Sequence, residues 1–179
     1  NLSINDKNLN LQFNGGINLA TQVTKYQFQT KIRNANLLPL GFDTSDVTIS
    51  ADADINFAWK NIDQNDGNIN ISDLSIAKND DLYGVKAIYI NSINQGDYRT
   101  LTLKSDNINA EIKGKYNFLE LGHSAAVAMH QLIPEYFKKP QDNVHQKQNF
   151  QVEVNIKTLY PFNDLYFKDI EFRNAQFKG

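Results

Sequence analysis

The strongest constraint in this chain is alternation. From Val47 to Phe57, the apolar residues Val47, Ile49, Ala51, Ala53, Ile55 and Phe57 take every second place, and Thr48, Ser50, Asp52, Asp54 and Asn56 fill the gaps. Strand side chains point alternately to two faces, so these residues specify a strand roughly 36 Å long with one dry face and one wet face. Shorter runs of the same period are Leu9-Leu11-Phe13, Tyr26-Phe28 to Ile32, Gly67-Ile69-Ile71, Leu101-Leu103, Ala110-Ile112-Gly114-Tyr116-Phe118 and Phe150-Val152-Val154-Ile156. Parallel sheets are covered on both faces, so one-sided strands specify an antiparallel sheet. The chain reads as mostly β.

Turn residues separate the runs: Asn14-Gly15-Gly16, Asn65-Asp66-Gly67, Asn79-Asp80-Asp81 and Asn94-Gln95-Gly96-Asp97. Asn, Asp and Gly accept the backbone angles of hairpin connections. These turns absorb much of an unusual composition, 24 asparagines and 12 glutamines in 179 residues. Such amide richness suits disorder or turn-dense β structure, and the 41% hydrophobic content argues for the second. The remaining asparagines, such as Asn68 and Asn70, alternate with apolar residues inside strands and are expected to face water. A pattern Gly-x-(Ile/Tyr)-Asn-(Leu/Ile/Phe) recurs near Gly15, Gly67 and Gly114, at intervals of 52 and 47 residues. It predicts a stack of similar β units, each burying its neighbour's apolar face.

One helix interrupts the strands. Leu121, Ala125, Ala128, Met129, Leu132, Ile133 and Tyr136 fall at helical spacing, which predicts an amphipathic helix over about 119–137 that Pro134 ends or kinks. It is expected to pack on the sheet or to cover its open mouth. The polar stretch from Lys138 to Gln148 reads as a loop.

Composition narrows the function classes. A net charge of −2 gives no electrostatic footprint for nucleic acid, and the absence of cysteine excludes disulfides, thiolate metal sites and a cysteine nucleophile. No run approaches the roughly 18 apolar residues of a membrane-spanning helix, and none has the form of a signal peptide. Asp63 to Leu74 superficially resembles a calcium loop. With Gly67 at the glycine position, however, the first and third ligands become Ile62 and Gln64, and Asp73 stands where a bidentate Glu belongs. The Glu120-x-x-His123 pair lacks the second copy a di-iron site needs, and His130 lies two helical turns from His123. Asp52 and Asp54 share the wet face of a strand with no basic neighbour in sequence. No nucleophile elbow, phosphate loop or dinucleotide fingerprint occurs, so no enzyme, cofactor or metal is expected. The aromatic residues at 136–137 and 160–177 are balanced by as many acids as bases, which favours core packing or an apolar groove over nucleic-acid stacking.

The order of these features resembles a known family. A Tyr26-Gln27-Phe28 strand leads into Asn34-Ala35-Asn36-Leu37-Leu38-Pro39-Leu40-Gly41-Phe42, followed by the long alternating strand and by Asp66 to Leu74. Then come Leu101 to Asp106, Ala110 to Phe118, Leu119-Glu120-Leu121-Gly122, the helix and Pro134-Glu135-Tyr136-Phe137. This order, from about Leu9 to Phe177, is similar to a segment of the TamB (translocation and assembly module) family of the AsmA-like superfamily. The resemblance implies a curved antiparallel sheet forming a U-shaped trough, the β-taco, with residues 1–179 as one segment cut from a longer protein. It also implies a periplasmic location, anchored to the inner membrane through a part not in this sequence, and an apolar inner face that carries phospholipid acyl chains towards the outer membrane. A second implied role is assembly of outer-membrane β-barrels with an Omp85-type partner, by β-augmentation.

The residues themselves leave two architectures open. Long strands with a continuous apolar face need a cover, and one helix does not cover several of them. Either a second sheet closes a sandwich or an apolar groove stays open. The resemblance favours the groove, with Val47, Ile49, Ile55, Phe57, Ile69, Ile71, Leu101, Leu103, Ile112, Tyr116, Phe118, Val152, Val154 and Ile156 facing inward. A carbohydrate-binding sandwich would need aromatics on the wet face, where few are found.

Overall fold

The computed structural model describes residues 1–79, 81–132, 134–135, 148–160 and 173–178. They form one sheet of ten strands in which spatial order follows chain order, every neighbouring pair antiparallel. The strands are β1 (Leu2–Asn5), β2 (Leu9–Asn18), β3 (Thr24–Asn36), β4 (Val47–Asn61), β5 (Gln64–Lys78), β6 (Asp81–Gln95), β7 (Tyr98–Ser105), β8 (Ile108–Lys115), β9 (Asn149–Thr158) and β10 (Arg173–Lys178). The sheet is curved and does not close, because β1 and β10 are not paired with each other. Among the described residues there is one helix, α1 (Phe118–Leu132), in the excursion that joins β8 to β9. The mostly-β, antiparallel expectation and the curved trough-like sheet are both found.

Keeping one face apolar across so many strands requires a fixed register, since a slip of one residue turns every side chain over. The chain breaks its alternation where the ladder would otherwise lose step. Between Ile71 and Leu74 the β5 pattern skips a place, and Asp73 sits there at a positive φ of 52°. Against β4, the step from Ser50 to Asp52 faces the longer step from Ser75 to Ser72, which is a β-bulge. On β3 an extra residue at Arg33-Asn34 separates Ile32 from Ala35 in the same way. Leu74 and Ile76 are thereby returned to the apolar side, where Ile76 packs on Val47 with Leu37, Ile49, Leu74 and Tyr83 around them.

The recurring glycines are a structural repeat. Gly15, Gly67 and Gly114 lie on β2, β5 and β8, three strands apart, and all have a positive φ, of 150°, 139° and 143°, that residues with a side chain rarely adopt. Each faces a phenylalanine on a neighbouring strand: Phe28, Phe57 and Phe150. A β-carbon on Gly67 would lie 2.1 Å from the Asn56 carbonyl oxygen, and Gly15 and Gly114 are equally crowded by Gln27 and Asn149. Only glycine tolerates this geometry, and such kinks bend a sheet.

Several expectations are corrected. Asn14-Gly15-Gly16 and Asn65-Asp66-Gly67 are not turns but lie within β2 and β5, and the β4–β5 turn falls at Ile62-Asp63. The run from Ala110 to Phe118 is not one strand: β8 ends at Lys115 and Phe118 opens the helix. The helix is described to Leu132, with 134–135 in a turn; Ile133, Tyr136 and Phe137 lie outside the described residues, as do most of the 138–148 loop and the aromatics from Phe162 to Phe172. Strands β1 and β6 were absent from the sequence reading.

The crowded glycine yields a direct test. Gly67→Ala is expected to destabilise by about 2–4 kcal/mol, through a positive φ and a backbone clash. Gly16→Ala, where nothing lies within 4 Å, is expected to change stability by less than about 0.5 kcal/mol. Urea unfolding of the two variants checks both values.

Candidate functional site

The register assembles one face whose three central rows are uncharged, with Arg99 in the next row towards the helix. The pairings place Gly15, Phe28, Ile55, Ile69, Ile90, Leu103, Ala110, Val154 and Phe177 in a single row across nine strands. At the usual strand spacing this row runs roughly 38 Å. Two residues to one side runs a second row: Ile17, Tyr26, Phe57, Gly67, Ser92, Leu101, Ile112 and Val152. On the other side lie Leu2, Phe13, Thr30, Ala53, Ile71, Ile88 and Ser105. None of the three rows carries a charge.

The opposite face is amide and charge. Its central rows read Gln27-Asn56-Asn68-Asn91-Thr102-Glu111-Glu153 and Asn14-Gln29-Asp54-Asn70-Tyr89-Lys104-Asn109-Asn155. Asp52 has basic neighbours that its own strand does not show, since Arg33 approaches it to 2.9 Å and Lys31 to 4.0 Å across the β3–β4 ladder. Gln29 donates to Asp54 at 3.1 Å. These two rows hold seven of the 24 asparagines, so part of the excess is a wet face of amide rows.

Ile55, Ile69, Ile71, Leu101, Leu103, Ile112, Val152 and Val154 fall in these central rows, and each is half-buried: flanked by neighbours on the sheet but not fully enclosed. Phe57 belongs with them, 6.3 Å ring to ring from Trp59. Ile156 pairs with Ile108 at the margin. Val47 and Ile49 instead belong to the small packed cluster around Ile76, and Val47 is only 1% exposed. Tyr116 is buried and Phe118 is the first residue of α1; their rings meet edge to face at 5.3 Å. Tyr116 also meets the Phe150 ring of β9 at 6.1 Å. Phe13, Phe28, Ile88 and Ile90 join the face although the sequence reading did not select them.

Few described apolar side chains are enclosed: Ala35, Val47, Ala51, Ile76, Val85 and Tyr116. The chain exposes 12095 Å², whereas a compact monomer of its mass exposes roughly 8,800 Å². A single layer of sheet without a second contributes to that excess.

A polar node ties the helix to the sheet. Asp63, in the β4–β5 turn, accepts from Arg99 at 3.1 Å, from the Asn117 side chain at 2.8 Å and from the Phe118 backbone N–H at 2.8 Å. The last bond makes Asp63 the anionic cap of α1, supplied from a distant hairpin rather than from the helix's own sequence. Arg99 also donates to the Tyr116 carbonyl, and its guanidinium lies 5.8 Å from the Tyr116 ring centre. The base of the excursion is closed by Gln148, which accepts from the Asn117 N–H at 2.9 Å and donates to Glu120 at 2.5 Å. The residues that resembled a calcium loop thus serve other ends. Asp63 caps the helix, Asn65 accepts from Ser92 at 2.7 Å, and Asp66 accepts from the Asn94 N–H. Among the described residues no cluster of metal-ligating side chains occurs.

No family model, curated protein or solved structure matches this chain.

Two tests address the node. The Asp63 and Arg99 side chains are only 19% and 15% exposed, so Asp63→Ala, which leaves the guanidinium without its partner, is expected to cost about 2–4 kcal/mol in urea unfolding. Tyr116 titrates above the ordinary value of 10.0, because burial disfavours the phenolate and Arg99 only partly offsets this. The unfolded chain ionises first, so stability should fall as pH rises past about 10. Tyr116→Phe should remove that slope. Because the buried hydroxyl has no hydrogen-bond partner, the same change should alter stability at neutral pH by less than about 1 kcal/mol.

Proposed function

We propose that this chain is a length of lipid conduit, a trough segment of the TamB and AsmA-like kind, in which the apolar face holds the acyl chains of phospholipid. The observation that carries the reading is the three-row apolar face, half-exposed and without a charge across most of the sheet. An apolar surface that large exceeds the usual patch on a monomer and calls for a ligand. Acyl chains suit it because they need no hydrogen-bond partner and tolerate a continuous, unshaped groove. A periplasmic position between two membranes, with anchoring outside this sequence, belongs to the same proposal. No cofactor and no chemistry are required.

A second reading rests on the sheet's edges. Among the described residues β1 and β10 are the two edge strands of the sheet, and a sheet edge is a template for another strand. The chain would then act as a scaffold for outer-membrane β-barrel strands, with an Omp85-type partner.

Lipid extracted from the purified chain and read by mass spectrometry tests the first reading. Phospholipid is expected at stoichiometric level, and Ile55→Asp and Ile112→Asp, checked for folding by circular dichroism, should reduce it by about tenfold or more, as expected for a charge set in an apolar contact. Full lipid loading in both folded variants would overturn the conduit reading. Crosslinking of an unfolded barrel substrate to β1 or β10 would favour the scaffold.

A further inference from the structure

On the body of the sheet, one face is apolar and the other polar. At one rim this division breaks down. The β2–β3, β4–β5 and β6–β7 connections all lie at that rim, beside the start of α1. Leu19 and Ile62 occupy two of these turns and are 73% and 41% exposed. Ile17 and Trp59 project from the apolar side of the same tips, at 55% and 38%. Ile93 and Tyr98, at 44% and 45%, project from the side that is polar elsewhere, as their pairings with Thr100 and Gln95 show.

We propose that this rim is a docking edge for the surface of a lipid bilayer, with the hairpin tips as shallow wedges. Neighbouring tips are two strands, or roughly 10 Å, apart, so the apolar residues form separate anchors rather than one contiguous patch for a protein's core. The exposed apolar residues stand on the apolar side of the first two tips and on the opposite side of the third, so they share a rim but not a face, which suits edge-on immersion rather than packing of one face on a partner. Trp59 and Tyr98 combine an apolar body with a polar tip, the residue types favoured at the membrane–water boundary. Lys60 beside Trp59 has a stem long enough to reach the headgroups. Asp97, in the β6–β7 turn and exposed, keeps that hairpin shallow. The docking stands without the conduit reading. A consequence for substrate entry, that acyl chains pass directly from bilayer to groove at this rim, rests on that reading.

Trp59 is the only tryptophan, so its emission reports on this rim alone. The full chain is mixed with vesicles of phosphatidylcholine, with and without phosphatidylglycerol, and followed by Trp59 emission and by flotation. A blue shift with co-flotation is expected, and Leu19→Asp and Ile62→Asp should each weaken vesicle partitioning by about tenfold or more, because a charge replaces an immersed side chain. Leu82→Asp, exposed at the opposite rim, and Ile55→Asp, in the middle of the apolar face, should leave partitioning unchanged. No shift and no flotation of the unaltered chain overturns the proposal. So does undiminished binding of both rim variants, loss of binding in Ile55→Asp, or a blue shift that grows with protein concentration without vesicles and marks self-association. Binding of a fluorescent fatty acid, measured on the same variants, separates the two ideas: rim variants should retain it and Ile55→Asp should lose it.

Discussion

Parity holds this structure together. A strand has two faces, and ten strands give a common apolar face only if each enters the ladder on the right step. The bulges at Arg33-Asn34 and Asp73 are what preserve it. Without the extra residue at Asp73, Leu74 and Ile76 would turn to the amide side, and the packed cluster around Val47 would lose two of its six members. The rows that define the candidate site are a product of the same registration, since side chains distant in sequence meet only because every pair of strands is in step.

That dependence explains what was legible in the sequence. Strands with unbroken alternation, such as Val47 to Phe57, were plain, and so was the antiparallel, one-sided character of the sheet. Strand β6 was hidden because its apolar pattern changes step between Val85 and Ile88, opposite the bulge in β5; Ile88 and Ile90 therefore went unselected. The glycines at 15 and 67 read as turns because local turn chemistry and an in-strand kink use the same residue, and only the phenylalanine across the ladder tells them apart. Asp63 could not be identified as a helix cap, because its partners Asn117 and Phe118 lie more than fifty positions away. Asp52 gained its basic neighbours by the same long-range pairing.

The node around Asp63 and Arg99 fixes where the helix begins. An ion pair this shielded from water does little for net stability compared with an apolar substitute, though breaking one half is costly. Its contribution is positional: the start of α1 is fixed to the β4–β5 turn and to β7, and Gln148 fixes the other end of the excursion. A sheet with so little enclosed apolar volume relies on its ladder hydrogen bonds and on such local ties, and less on the buried core that supports a two-layer domain.

The three kinked glycines have a geometric consequence of their own. Gly15 is in row with Ile69, two residues beyond Gly67; Gly67 is in row with Ile112, two residues before Gly114. The bend therefore moves along by two residues for every three strands, which inclines its line by roughly 25° to the row direction. A crease set obliquely to the strands does not fold a sheet into a straight gutter; repetition of this three-strand unit winds it into a spiral channel, with the two rims turning around the axis as they advance.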